Sequence, residues 1–161
     1  MKANDGSGDI KERDEWETPE KIFDPLDRQY NFRFDCCATY ENTKTENFSS
    51  RFEKLDKSEE YIINPAWMNP PFSKAEKMFK EFFKKIDQGV AIYRCDNLET
   101  KLYQNIILEK ADWIFIIKGR VNYKGLNGSG ARFPSALIGV GLEPPENISG
   151  HILSCEKQVE E

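Results

Sequence analysis

The sequence predicts an α/β fold, a compact, mostly parallel sheet with helices on both faces. Three observations carry that expectation. Helical and extended signals alternate in the order helix, strand, strand, helix, strand, helix, strand, strand. The strand segments, Val90-Ala91-Ile92-Tyr93 and Trp113-Ile114-Phe115-Ile116-Ile117 foremost, are continuous apolar runs, as expected of strands buried on both faces. At 161 residues, 39% hydrophobic and 32% charged, the chain has the length of one domain and the composition of a globular one.

Residues 1–13 are polar and read as a flexible leader, 14–142 as the domain, and 143–161, with prolines and acids, as an acidic tail. Thr18-Pro19-Glu20 reads as a helix start, with Thr18 as cap and Pro19 at the first helical position, where its missing N–H has no partner to lose. Ile22, Phe23 and Leu26 supply the apolar face, and Pro25 inside the segment predicts a short or kinked helix. Phe32 to Cys36 alternates and predicts a strand that ends at Asp35. Residues 38–60 are polar and read mostly as loop.

Tyr61-Ile62-Ile63 is a short strand candidate. The chain then leaves the sheet at Pro70-Pro71, which no central strand accommodates. Ser73-Lys74-Ala75-Glu76 matches a capping box. Ala75, Met78, Phe79, Phe82, Phe83 and Ile86 follow at helical spacing, with Lys74, Lys77, Lys80, Lys84 and Lys85 on the remaining faces and Gly89 closing the helix. Residues 99–110 predict a helix with Leu102, Tyr103, Ile106 and Ile107 inward. A glycine-rich loop spans 125–130, and Ser135 to Val140 is the last predicted strand. In such a sheet ligands bind beyond the carboxyl ends of the strands. Asp35 and Asn69, each just past a predicted strand, are therefore expected on one edge.

Net charge is −5, unevenly spread. Residues 1–60 hold 10 basic and 16 acidic side chains, residues 61–132 hold 12 and 7, and residues 133–161 hold 1 and 5. The basic middle is compatible with a phosphate-facing surface, although solvated lysine faces give the same count. The four cysteines (Cys36, Cys37, Cys95, Cys155) form no Cys-x-x-Cys pair and read as reduced thiols. With His151 the only histidine, no zinc-ligand spacing is visible and no Ser-His-Asp or Cys-His scheme is favoured. No apolar run approaches the ~20 residues of a membrane span, and residues 1–9 lack the apolar core of a secretory signal. The chain is expected to be soluble and cytoplasmic.

Asn69-Pro70-Pro71-Phe72 is the most informative stretch. With Pro at ~5% of residues, a Pro-Pro pair is expected roughly once in 400 positions, and the flanking Asn and aromatic make chance rarer still. An exocyclic amine on a planar base is a poor nucleophile because its lone pair is delocalised into the ring. Two acceptors aimed at its N–H groups favour the tetrahedral nitrogen that bond formation needs. The Asn69 side-chain oxygen is one, and the carbonyl of Pro70, held by the rigid Pro70-Pro71 backbone, is the other. Phe72 offers a flat face for the base, worth ~1–3 kcal/mol per stacked base. A duplex base reaches such a pocket only by flipping out of the helix.

These segments resemble the phage DNA N-6-adenine-methyltransferase (Dam) family, a compact branch of the class I methyltransferases. The resemblance rests on Asp14-Glu15-Trp16-Glu17-Thr18-Pro19, on Phe34-Asp35-Cys36-Cys37-Ala38 with Asn42 shortly after, and on Trp67-Met68-Asn69-Pro70-Pro71-Phe72. Residues 119–123 and the strand from Ser135 match later family features more weakly. It implies a Rossmann-like sheet, S-adenosylmethionine as methyl donor, and N6 of adenine in DNA as acceptor, with a role in shielding phage DNA from restriction. By position Trp16, Thr18 and Pro19 match the segment that helps enclose the donor, and Asp35 and Ala38 the loop under its amino-acid portion. Asp35 then accepts from the donor's ammonium group, and Asp56 meets its adenosine amine. Arg120, Lys124 and Arg132 flank the glycine-rich loop and, with Lys74, are the candidates for nucleic-acid contact. Where many class I methyltransferases carry a glycine-rich turn after the first strand, this chain reads Asp-Cys-Cys-Ala-Thr. That departure and the negative charge motivate a competing reading, a methyltransferase-like protein that binds DNA or a host partner without turnover. The same motif also serves methyltransferases acting on RNA or on protein glutamine. The recognised DNA sequence and the oligomeric state are not legible.

Overall fold

The structure is a computed structural model and describes Asp14 and residues 16–60, 62–125 and 133–153. Seven strands form one sheet: β1 (Phe34–Asp35), β2 (Asn47–Phe48), β3 (Ala66–Met68), β4 (Gly89–Arg94), β5 (Trp113–Ile117), β6 (Ser135–Val140) and β7 (Gly150–Leu153). Their order across the sheet is β2-β1-β3-β4-β6-β5-β7. The pairs β1·β2, β1·β3 and β3·β4 are parallel, whereas β4·β6, β5·β6 and β5·β7 are antiparallel. The sheet is thus mixed rather than mostly parallel by its pairings. The direction of the strands is more uniform. Since β6 is antiparallel to both β4 and β5, those two point the same way, so β1 to β5 share one direction and only β6 and β7 oppose it. The carboxyl ends of β1, β3 and β4 therefore meet at one edge, where ligands of open α/β sheets bind.

Alternate residues of the strands face opposite sides, and each side has its own core. Helix α1 (Glu20–Tyr30) sets Phe23, Leu26 and Tyr30 with Trp67, Val90, Ile92, Trp113, Phe115 and Leu137. On the other side, α2 (Ala75–Lys85) sets Met78, Phe79 and Phe82 with Ala66, Met68, Ala91 and Ile138. They are joined there by Tyr103, Ile106 and Ile107 of α3 (residues 101–110), whose central turn is a π-helix over Tyr103–Ile107. Pro25 lies within the 11-residue α1.

Several local expectations give way to tertiary partners. Pro19, not Thr18, is the N-cap residue of α1 and its ring has no capping group, while the Thr18 hydroxyl, one residue earlier, accepts from the Asn69 side chain. The capping box is not formed either. A 3₁₀ turn over Phe72–Lys74 precedes α2, and Ser73 donates its N–H (3.0 Å) and its hydroxyl to the Asp14 carboxylate. The predicted strand over 61–63 is absent at Ile62 and Ile63, and Tyr61 is outside the described residues. The sheet is entered only after Pro65, at Ala66. Gly89 opens β4 rather than closing α2. Lys85 is not on a solvated face. It is 4% exposed, donates to the Phe52 carbonyl at 2.8 Å and pairs with Glu81 at 2.8 Å. Residues 150–153, inside the segment read as tail, form β7, which pairs with β5 and is the edge strand of the sheet.

Gly139 of β6 lies under the Trp113 ring. A Cβ built there would sit 2.1 Å from two ring carbons. Trp113 is anchored by its indole N–H, which donates to the Leu142 carbonyl at 2.7 Å, so the ring cannot swing clear at small cost. Gly139→Ala is expected to lower unfolding free energy by about 1–3 kcal/mol through overpacking. Urea denaturation followed by tryptophan fluorescence reads this directly.

Candidate active site

The site is built at the carboxyl edge of β1 and β3. Asp35, the last residue of β1, is 3% exposed. One carboxylate oxygen accepts the Cys37 N–H (3.3 Å) and the other the Lys44 N–H (3.1 Å), which folds loop 36–46 back over the strand end. Burial pushes its carboxyl up to about 6, against the opposing effect of those two N–H groups and the Lys44 charge. The loop is closed further by the Ala38 N–H on the Ser49 carbonyl (3.0 Å) and the Thr39 N–H on the Asn42 side chain (2.7 Å). Burial also pushes the Cys36 and Cys37 thiols well up, so both stay protonated and fill the turn as small neutral groups. Among the described residues no group of histidine, cysteine and carboxylate side chains is placed to hold a metal ion.

Asn69 follows β3 directly, and Pro70 and Pro71 carry the chain into the 3₁₀ turn that leads to α2. The Asn69 side-chain N–H groups donate to the Trp16 carbonyl and to the Thr18 hydroxyl, each at 3.1 Å. Its Oδ1 takes no hydrogen bond among the described residues. Asn69 is half-buried and Pro70 buried. Phe72 is half-buried against three rings, with centroids at 6.0 Å (Trp16), 5.7 Å (Tyr93) and 5.5 Å (Phe133), so it is a wall of an aromatic cluster as much as an open platform. The Arg94 guanidinium, paired with Asp96 at 2.7 Å, lies 4.5 Å from the centre of the Phe133 ring and 5.8 Å from that of Phe72.

Two cavities reach this corner. The first is lined by Trp16, Thr18, Asp35, Lys44, Trp67 and Asn69, among others. The second, of about 230 Å³, runs past Ala38, Ser50, Glu53, Pro71, Lys74 and Met78. Asp14, Cys37, Asn42 and Asn69 line both, so the two adjoin along the loop after β1. Asp35, Ala38, Trp16, Thr18, Asn69 and Pro71 are thus brought together, as are Asn42 and Lys74, whereas Pro70 and Phe72 line neither cavity. Asp56 is not. It is exposed, bonded to Ser58, and lines neither cavity, whereas Glu53 three residues earlier lines the second. Pro19 lines neither and contributes its carbonyl to the first turn of α1. Lys124 is tied to the N-terminal segment, by paired backbone bonds with Glu17 and an ion pair with Glu20. Arg120 is exposed after β5, and Arg132 is outside the described residues.

Asp14, Lys44 and Glu53 line these cavities and Arg94 flanks Phe72, and no sequence spacing marks a role for any of the four. Asp14 lies 59 residues from Ser73, and no local spacing signals that contact.

Strands of common direction, with a polar cavity at the carboxyl ends of β1 and β3 beside the Asn69 corner, make this a mixed α/β sheet of the open kind, the kind whose ligands bind at that edge. The comparison with family models is more specific. The chain belongs to the DNA N-6-adenine-methyltransferase (Dam) family, whose model matches residues 7–135. The match spans the 14–19 segment, β1, the Asn69–Phe72 corner and the start of β6. A comparison with curated proteins found no match, and neither did one with solved structures.

Proposed function

We propose that the protein transfers a methyl group from S-adenosylmethionine to N6 of adenine in DNA. The observation that carries this reading is the Asn69 amide, whose nitrogen is held by Trp16 and Thr18 while its oxygen is left as an acceptor among the described residues, in the wall of the cavity that Asp35 also lines. The donor set fits such a cofactor. Asp35 is a buried carboxylate suited to an ammonium group, Glu53 to ribose hydroxyls, and Ala38, Pro71 and Met78 to the apolar and planar parts. The loop without glycine still leaves a cavity along Cys36, Cys37 and Ala38.

Bound S-adenosylmethionine supplies an electrophilic methyl on a sulfonium. Asn69 Oδ1 accepts one N6–H and the Pro70 carbonyl accepts the other, which draws the nitrogen lone pair out of the ring toward the methyl. As N6 gains the methyl the bond from that carbon to the sulfonium would break, leaving a neutral thioether, and the proton lost from N6 would pass to water. Phe72 borders the base, which leaves a duplex by flipping. Lys74, and more remotely Arg120, contact phosphates. Transfer of labelled methyl from S-adenosylmethionine to unmodified DNA, with RNA and protein as competitors, tests the reading.

A pH dependence follows from Asp35. Only its ionised form attracts an ammonium group, and its carboxyl in the free protein lies near 6. Donor affinity is therefore expected to level off by about pH 7, to be about halved at pH 6, and to fall toward tenfold per unit below that. Calorimetric titrations from pH 5 to 8 should show this slope in the wild type and lose it in Asp35→Asn.

A further inference from the structure

The N-terminal segment crosses the Asn69 corner as a strap held at three points. Asp14 takes the N–H and hydroxyl of Ser73, on the far side of the motif. Glu17 exchanges two backbone hydrogen bonds with Lys124, at 3.1 and 2.9 Å. Between them the Trp16 ring is stacked on Tyr123 (6.0 Å, 22°) and Phe133 (6.3 Å, 19°). This fixes the two groups that meet the Asn69 side chain, the Trp16 carbonyl and the fully buried Thr18 hydroxyl.

A carboxamide is nearly symmetric in shape but not in chemistry. Turned one way it offers an acceptor to the cavity, turned the other way it offers two donors. A substrate amine presents N–H groups, so only the first orientation serves. The Trp16 carbonyl has no proton to give and repels an oxygen placed against it. The Thr18 hydroxyl, which could meet either end of the amide, takes the second N–H and holds the amide plane against the carbonyl that selects its sense, so both donors are used on the strap side.

We propose that Thr18, together with the Trp16 carbonyl, is a positioning residue that holds the Asn69 amide with its oxygen toward the reacting amine. The inference rests on the methyl-transfer reading above. It also accounts for asparagine rather than aspartate at position 69. A carboxylate there would set an oxygen against the Trp16 carbonyl with no hydrogen between them.

Thr18→Val keeps the shape of the side chain and removes the acceptor. It is expected to lower kcat by about five- to tenfold, with the KM for the methyl donor unchanged. Thr18→Ser, which keeps the hydroxyl, is expected to restore kcat. Asn69→Asp, which keeps an oxygen toward the amine but loses the N–H groups, is expected to lower kcat by about ten- to a hundredfold. An independent readout is the Asn69 side-chain amide pair in the ¹H–¹⁵N spectrum. Its two proton shifts are expected to move and their exchange with water to quicken in Thr18→Val, and to return in Thr18→Ser.

A Thr18→Val protein with wild-type kcat and an unmoved amide pair overturns the inference while leaving methyl transfer standing. A raised donor KM at unchanged kcat also overturns it, since Thr18 would then be a donor contact. An active Asn69→Asp protein does the same. If the wild type itself transfers no methyl group, the parent reading fails, and the amide shifts still decide whether Thr18 orients Asn69.

Discussion

Asn69→Ala is expected to cut methyl transfer to adenine by about 10²–10³ while leaving the fold in place. The size follows from the role. In the proposed role the amide oxygen meets the amine most strongly as the nitrogen becomes tetrahedral, so its loss is expected to raise the barrier rather than weaken ground-state binding. The cost to stability is smaller. Asn69 is half-buried, and the change removes two hydrogen bonds, to Trp16 and Thr18, at about 1 kcal/mol each. Single-turnover transfer measured beside a urea titration separates the two. The rate constant should collapse while the denaturation midpoint moves little and donor affinity stays near that of the wild type.

Trp16→Ala is expected to be the more damaging change to the molecule as a whole. The ring is 7% exposed and touches Phe72, Tyr123 and Phe133. Truncating a buried tryptophan costs about 3–5 kcal/mol, a large share of the 5–15 kcal/mol that holds a typical domain together. The loss is local as well as global. Without the ring, the strap is left to the Asp14–Ser73 and Glu17–Lys124 contacts, and the carbonyl that accepts from the Asn69 amide loses its anchor. Residual folded protein should thus transfer methyl more slowly than the wild type. Trp16→Phe, which keeps part of the stack, is expected to recover much of the stability. Denaturation midpoints of the three proteins, with activity normalised to folded fraction, give the comparison.

What could be read from the sequence was whatever depends on near neighbours in the chain. The apolar periodicity of α2 is a property of 11 residues, and it places Ala75, Met78, Phe79 and Phe82 inward as expected. Trp113–Ile117 and Ser135–Val140 are strands with the bounds their apolar runs imply. Asp35 and Asn69 share an edge because each closes a strand of the same direction. The sense of β6 was hidden, since a strand buried on both faces reads alike in either direction. Strand β7 was hidden because its His151 and Ile152 are exposed and its neighbours are prolines and acids. The cap signals at Thr18 and Ser73 were real hydrogen-bonding groups taken by distant partners, Asn69 and Asp14, which no local rule foresees. In the aperiodic stretch 38–60 position alone misled. Asp56 faces solvent, and Glu53, in a 3₁₀ turn over Phe52–Lys54, lines the cavity instead.

The claim on which the rest depends is that the Asn69 corner acts on the exocyclic amine of adenine. Incubating the full chain with S-adenosylmethionine and unmodified duplex DNA, then digesting the DNA and weighing its nucleosides, tests it without any mutant. N6-methyl-2′-deoxyadenosine should accumulate with time and depend on the donor. Methyl groups found only on cytosine, or none on DNA under conditions where the protein is folded and binds the donor, would contradict it.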